Sequence, residues 1–157
     1  MTEHDTPPRK RDAFEAALGA LNRRDRTVAE LVAWLEAGEY ESEEIERAVG
    51  DLIEAGGLDD ARYARLFAEE KRDLAGWGPE RIARNLAERG IEQGLIDEVG
   101  GVEDHGLQVE RAASLLDGRD IPLDDDRGRS RALGFLTRRG YEYEVAYEAI
   151  RSRSRAA

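Results

Sequence analysis

The strongest constraint on this chain of 157 residues is an internal repeat. Tyr40, Ile91 and Tyr141 stand 51 and 50 residues apart, and each has a leucine five residues upstream: Leu35, Leu86 and Leu136. Ile45, Ile96 and Ala146 follow five residues after the same anchors. Gly90 and Gly140 immediately precede the second and third anchors, while Glu39 holds that place in the first, with Gly38 one residue earlier. A fixed period of about 50 residues is the mark of one small supersecondary unit used three times. A unit of that size buries too little apolar surface to stand comfortably alone, so neighbouring copies are expected to stack.

The unit reads as helical. Runs of alternating β-branched residues are missing, and the good helix formers Ala, Leu, Glu and Arg dominate. Phe14, Leu18 and Leu21 fall at helical spacing, then Leu31 and Leu35, then Ile45, Val49, Leu52 and Ile53. Thr27 with Glu30 predicts a capping box, Ser42 the opening of the next helix, and Gly56-Gly57 its close. Tyr63, Phe67 and Leu74 mark a long helix from about Asp60 to Ala75, and Pro79 suits the first turn of its successor. The chain holds ten aromatic residues (Phe 3, Tyr 5, Trp 2), so its burial faces must come mostly from Ala, Leu, Ile and Val. Trp34 and Trp77 read as core or inter-repeat wedges.

The expected fold is all-α, with three tandem three-helix repeats. A flexible tail over 1–10 precedes repeats at 11–57, 58–101 and 102–151, and a second flexible tail covers 152–157. An acidic loop near 118–128 interrupts the third repeat. The expected repeat core comprises Leu35, Tyr40, Ile45, Leu86, Ile91, Ile96, Leu136, Tyr141 and Ile150.

Chemistry is excluded residue type by residue type. With no cysteine there is neither a disulfide framework nor a thiolate metal site. His4 and His105 are far apart and lack ligand spacing. No nucleophile elbow or phosphate loop occurs, and Asp124-Asp125-Asp126 reads as a solvated loop. No catalytic residue, cofactor or metal is expected. No apolar run is long enough to span a membrane and the N-terminus lacks a signal-like stretch, so a cytoplasmic location is expected. The chain is also expected to be a monomer.

Gly57-Leu58-Asp59-Asp60-Ala61-Arg62-Tyr63-Ala64 is similar to the segment that typifies the RecX family, bacterial regulators of the RecA recombinase. Phe135-Leu136-Thr137-Arg138-Arg139-Gly140-Tyr141 also resembles that family, and the likeness runs from about residue 12 to 151. The resemblance implies an elongated, curved stack of three-helix repeats without catalytic activity. It implies binding to a recombinase–DNA filament, with DNA met through the filament, and down-regulation of recombination and repair. Within the motif Gly57, Leu58, Asp59, Asp60, Arg62 and Tyr63 have a mainly structural reading: Asp59 as a cap, Asp60 at the positive helix end, and Leu58 with Tyr63 as a staple.

Charge is divided unevenly. The net charge is −11, yet residues 127–157 hold eight arginines against three glutamates and are +5, which leaves −16 for residues 1–126. Such asymmetry nominates the third repeat for contact with phosphates or an acidic protein face. The candidate contacts are Arg127, Arg129, Arg131, Arg138, Arg139, Tyr147 and Arg151. Tyr143, Tyr147 and Arg151 share one helix edge, suited either to base stacking or to packing on a neighbouring helix. A stand-alone helix-turn-helix DNA regulator is the alternative function, disfavoured by the acidic balance.

Basic residues are 22 arginines and only two lysines, Lys10 and Lys71, beside 35 acids. This is the balance of a protein adapted to high salt, in which carboxylates keep water at the surface. Self-repulsion then weakens the fold in dilute buffer and screening relieves it. Thermal melts should rise from dilute buffer toward molar salt; a flat or falling curve would leave the arginine bias as genome composition.

Overall fold

The computed structural model describes residues 11–100 and 103–156. The tail expected over 1–10 and the expected repeat boundary at 101–102 lie outside these. Among the described residues there are nine helices and no strand: α1 (Ala13–Arg23), α2 (Val28–Ala37), α3 (Ser42–Glu54), α4 (Asp60–Asp73), α5 (Pro79–Glu88), α6 (Gln93–Gly100), α7 (His105–Asp117), α8 (Asp126–Arg138) and α9 (Tyr143–Ala156). They form three successive triplets and divide into two compact units, residues 1–63 and 64–157.

In the first unit, Asp12 caps α1 by accepting from the Glu15 N–H at 2.8 Å. The Thr27–Glu30 capping box is present in both directions, at 3.1 and 3.2 Å, and Thr27 is fully buried. Ser42 does not cap α3; the cap position falls to Glu41, which makes no side-chain bond there. The larger difference is on α1. Its buried face is Ala13, Ala16, Ala17 and Ala20, while Phe14 and Leu18 remain 38% and 40% exposed. A face of methyl groups lets the backbone of α1 approach Leu31, Leu35, Ile45, Val49 and Leu52 closely, and the bulkier side chains are left at the rim. Ile53 is likewise exposed at the edge of the α3 stripe.

The second unit repeats this economy. Buried positions on α4 are Ala64 and Ala68, not Leu74, which is exposed. Ile82, Leu86, Ile91 and Ile96 are buried in the second triplet. Ala112, Ala113, Leu116, Ala132, Leu136, Tyr141, Val145, Ala146, Ala149 and Ile150 make the core of the third. Asp125 caps α8 by accepting from Gly128 N–H at 2.7 Å, so the acidic segment turns helical earlier than its expected end. The C-terminal segment expected as a tail from 152 is also helical, as α9 runs to Ala156. The Ser152 and Ser154 hydroxyls donate to the Ala149 and Ile150 carbonyls, and Arg153 grips the Asp117 carboxylate at 2.7 and 2.9 Å.

One hydrogen bond explains the five-residue spacing between leucine and anchor in each repeat. The backbone N–H groups of Tyr40, Ile91 and Tyr141 donate to the carbonyls of Leu35, Leu86 and Leu136 at 3.3, 3.0 and 3.2 Å. All three leucines are fully buried. Closing a helix this way requires a left-handed residue just before the donor. Gly90 and Gly140 supply it with φ of 82° and 100°, and Glu39 adopts it at 62°. A side chain in that conformation costs about 1 kcal/mol. Glu39→Gly should therefore stabilise the first unit by roughly 0.5–1 kcal/mol in a denaturant titration, whereas a loss of stability would mean that the Glu39 side chain holds a compensating contact.

Candidate functional site

The arginines of the third repeat begin as neighbours in sequence and are sorted by the helix they occupy. Ala132 and Leu136 turn one face of α8 into the core. Arg131 and Arg138, seven residues apart, fall on one opposite face, and both are exposed. With Arg119, which follows the end of α7, they wall a hollow of about 410 Å³. Asp120, Ile121, Ser130, Gly134 and Phe135 complete it. The Arg119 guanidinium carbon lies 4.5 Å from the centre of the Phe135 ring, within cation–π distance.

The other candidates have different surroundings. Arg139 donates to the Ala75 carbonyl at 2.8 Å and packs 5.1 Å from the Phe135 ring centre. Arg129 donates to the Leu123 carbonyl at 3.0 Å and pairs with Asp126, so it fastens the loop ahead of α8. Arg127 is exposed on the first turn of that helix. Tyr147 and Arg151 line a second groove of about 500 Å³ between α8 and α9, floored in part by Leu133 and Ile150. There the rings of Tyr143 and Tyr147 lie nearly parallel, 6.2 Å apart, with Arg151 at 5.7 Å from Tyr147. Both tyrosines are about half exposed or more, at 62% and 49%.

The motif residues sit at the end of the first unit. Gly57 N–H closes α3 on the Leu52 carbonyl at 2.9 Å, and Leu58 is buried in that unit's core. Asp59 accepts from Arg62 N–H at 3.1 Å. Asp60 reaches farther, accepting from Val28 N–H at 2.9 Å and so satisfying the start of α2. Burial raises the Asp60 pKa, with Asp59 and Glu30 adding to the rise and the Val28 bond opposing it. Arg62 is exposed and Tyr63 half-buried.

Two features escape a linear reading. Glu103 carries a side chain only 8% exposed, set between Arg72 at 3.8 Å and Arg111, which also reaches Asp73 at 3.0 Å. Burial alone would lower the Arg111 pKa, but Glu103 and Asp73 raise it above its ordinary value. Burial and, next, the Glu103 charge push the Tyr141 phenol up. Nothing in the spacing around Glu103 announces this cluster. The second feature does have a signal: an aromatic residue followed four positions later by a cation. Phe67–Lys71, Trp77–Arg81, Phe135–Arg139 and Tyr147–Arg151 all follow it, and all four pairs are in contact, the closest being Arg81 over Trp77 at 4.0 Å. Trp34 is similarly met by Arg23 and Arg26, each 5.5 Å from its centre.

Comparison with known proteins places this arrangement. The models of the first and second RecX three-helix domains match residues 13–52 and 59–99. The regulatory protein RecX of Trichlorobacter lovleyi is 35% identical over 85% of this chain and 90% of that protein. That of Mycobacterium avium is 32% identical over 92% of this chain and 86% of its own length. The crystal structure of RecX from Lactobacillus salivarius superposes with a TM-score of 0.80 at 22% identity, covering 89% of this chain and 93% of the other.

The two adjacent arginines at the end of α8 should separate in a stability assay. Arg138→Ala should stay within about 0.5 kcal/mol of the parent, as surface substitutions do. Arg139→Ala should cost about 1–2 kcal/mol through the lost Ala75 bond and ring contact. Equal effects in urea titrations would refute this sorting.

Proposed function

This chain belongs to the RecX family, and on that premise we propose that it is a non-catalytic regulator of a RecA-type recombinase. It binds the recombinase–DNA filament and lowers recombination and repair activity, working as a monomer in the cytoplasm and meeting DNA through the filament. The observation that carries this reading is the exposed arginine face of α8. Arg131 and Arg138 make no ion pair among the described residues, in a chain that is otherwise −16 up to residue 126. Several exposed cations acting together on phosphates give strong, salt-dependent binding where single pairs would not.

A helix-turn-helix reader of bare duplex fits less well. Base reading needs a polar, cationic third helix. The third helix of the first triplet, α3, carries Glu43, Glu44, Glu46, Asp51 and Glu54 against Arg47, and α6 carries Asp97 and Glu98 with no basic residue. In the third triplet the cations of α9, Arg151, Arg153 and Arg155, are confined to its C-terminal end, where Arg153 is paired with Asp117.

The test is recombinase ATPase and strand exchange, with a recombinase from the same organism at matched salt. Arg131→Glu combined with Arg138→Glu should weaken inhibition by roughly an order of magnitude or more. Arg47→Glu combined with Arg65→Glu changes the net charge equally at two other exposed positions and should do much less. Equal loss from both pairs would assign the effect to bulk charge, and no loss from either would sink the proposal.

A further inference from the structure

The hollow on α8 gathers three guanidinium groups that would ordinarily repel one another, and none of them makes an ion pair among the described residues. Arg119 is braced by the Phe135 ring. Arg138 folds back over the gap left at Gly134, where an added Cβ would stand 3.0 Å from its Nη1. Arg131 stands about two turns earlier on the same helix, seven residues before Arg138. Among the described residues lining the hollow Asp120 is the only acid, and Ser130 adds a hydroxyl. Like charges gathered in a concavity incur a Coulombic cost that an anion would remove.

We infer that this hollow is an anion site for a phosphate group. Guanidinium forks match phosphate oxygens two at a time, and bracing by the ring and by the helix lowers the ordering entropy of binding. Three guanidinium groups offer more donors than one planar carboxylate, which a single fork satisfies, and a phosphate has the further oxygens to accept them. A nucleic-acid strand and a small free phosphoryl ligand carry this same group, and the test distinguishes the two sources. The inference deepens the contact surface proposed above and rests on its location. Its test contains no recombinase, so its failure and the failure of the regulatory reading are separable.

Glycine at 134 allows a test that leaves charge untouched. Gly134→Leu would occupy the hollow and displace the Arg138 head group. Binding should be measured at low salt by calorimetric titration with inorganic pyrophosphate and by anisotropy with a fluorescent twelve-residue oligothymidylate. The parent should bind at least one of them, and which one identifies the source. Gly134→Leu should lose at least tenfold in affinity, as should Arg131→Gln combined with Arg138→Gln, while their circular dichroism stays helical. Arg65→Gln, which removes an exposed charge outside the hollow, should change affinity less than twofold. If Gly134→Leu unfolds, the paired glutamine variant decides alone. The proposal is overturned if the parent binds neither probe, if the folded variants bind as the parent does, if Arg65→Gln loses as much, or if hexaglutamate binds as tightly as pyrophosphate.

Discussion

Within residues 64–157 the organisation depends on one backbone contact, the end of α8 meeting the start of α5. Gly78 N–H donates to the Arg139 carbonyl at 2.7 Å, and Glu80 N–H donates to the Gly140 carbonyl at 3.0 Å. The unsatisfied donors at one helix start thereby meet the unsatisfied acceptors at another helix end, and the two dipoles are aligned favourably. The approach is so close that side chains are excluded from both backbones. A Cβ on Gly78 would come within 2.5 Å of the Gly140 carbonyl, and one on Gly140 within 2.4 Å of the Arg81 Cβ. Gly140 thus has two tasks: its left-handed conformation closes α8, and its missing side chain admits α5. The Tyr141 hydroxyl and Arg139 extend the same joint, donating to the Gly76 and Ala75 carbonyls at 3.4 and 2.8 Å. The Glu103 cluster with Arg72 and Arg111 acts electrostatically on the Tyr141 phenol at that joint, and Arg72 also donates to the Val99 carbonyl at 3.2 Å. Such a cluster is costly to break by halves, because one lost partner leaves an uncompensated buried charge.

The leucine–anchor pair that marks each repeat was legible in the sequence because a backbone bond fixes its spacing. The distance from a buried leucine to the donor five residues later does not depend on which large side chains surround it. The stripes of large residues were a poorer guide. Phe14, Leu18, Ile53 and Leu74 lie on helical periods, yet alanines take the deepest positions on α1 and α4. Hydrophobic periodicity weighs large side chains most, whereas close helix packing favours the smallest, so the two rank one helix face differently. Caps that use local geometry, such as Thr27 with Glu30, could be read directly. The bond from Val28 to Asp60 spans 32 residues and could not.

The candidate surface was legible in aggregate and not residue by residue. A local excess of arginine points to α8, but adjacent positions of a helix face different surroundings, and only the fold tells which are spoken for. Arg129 and Arg139 are held by carbonyls, while Arg131 and Arg138 beside them are not. Arg119 enters the hollow from outside the arginine-rich segment, delivered by the turn after α7. Net charge also conceals local composition. Lys71 and Arg81 flank Trp77 in the second repeat, although the chain to residue 126 is strongly acidic.

That acidity bears on how a basic hollow could act. Carboxylates elsewhere in the chain repel phosphates and acidic protein faces, so approach in any other register is disfavoured and specificity comes partly from repulsion. Ionic strength then acts on two opposing contributions. Screening weakens the proposed contacts at Arg119, Arg131 and Arg138, and it also relieves the repulsion between the acidic remainder and the same partner. The two changes partly cancel, so affinity falls less steeply with salt than the number of arginines alone would dictate. A purely basic protein has only the first contribution and loses its grip as salt rises. Carrying the excess acid on other residues is therefore a physical route to a phosphate contact that persists at high ionic strength.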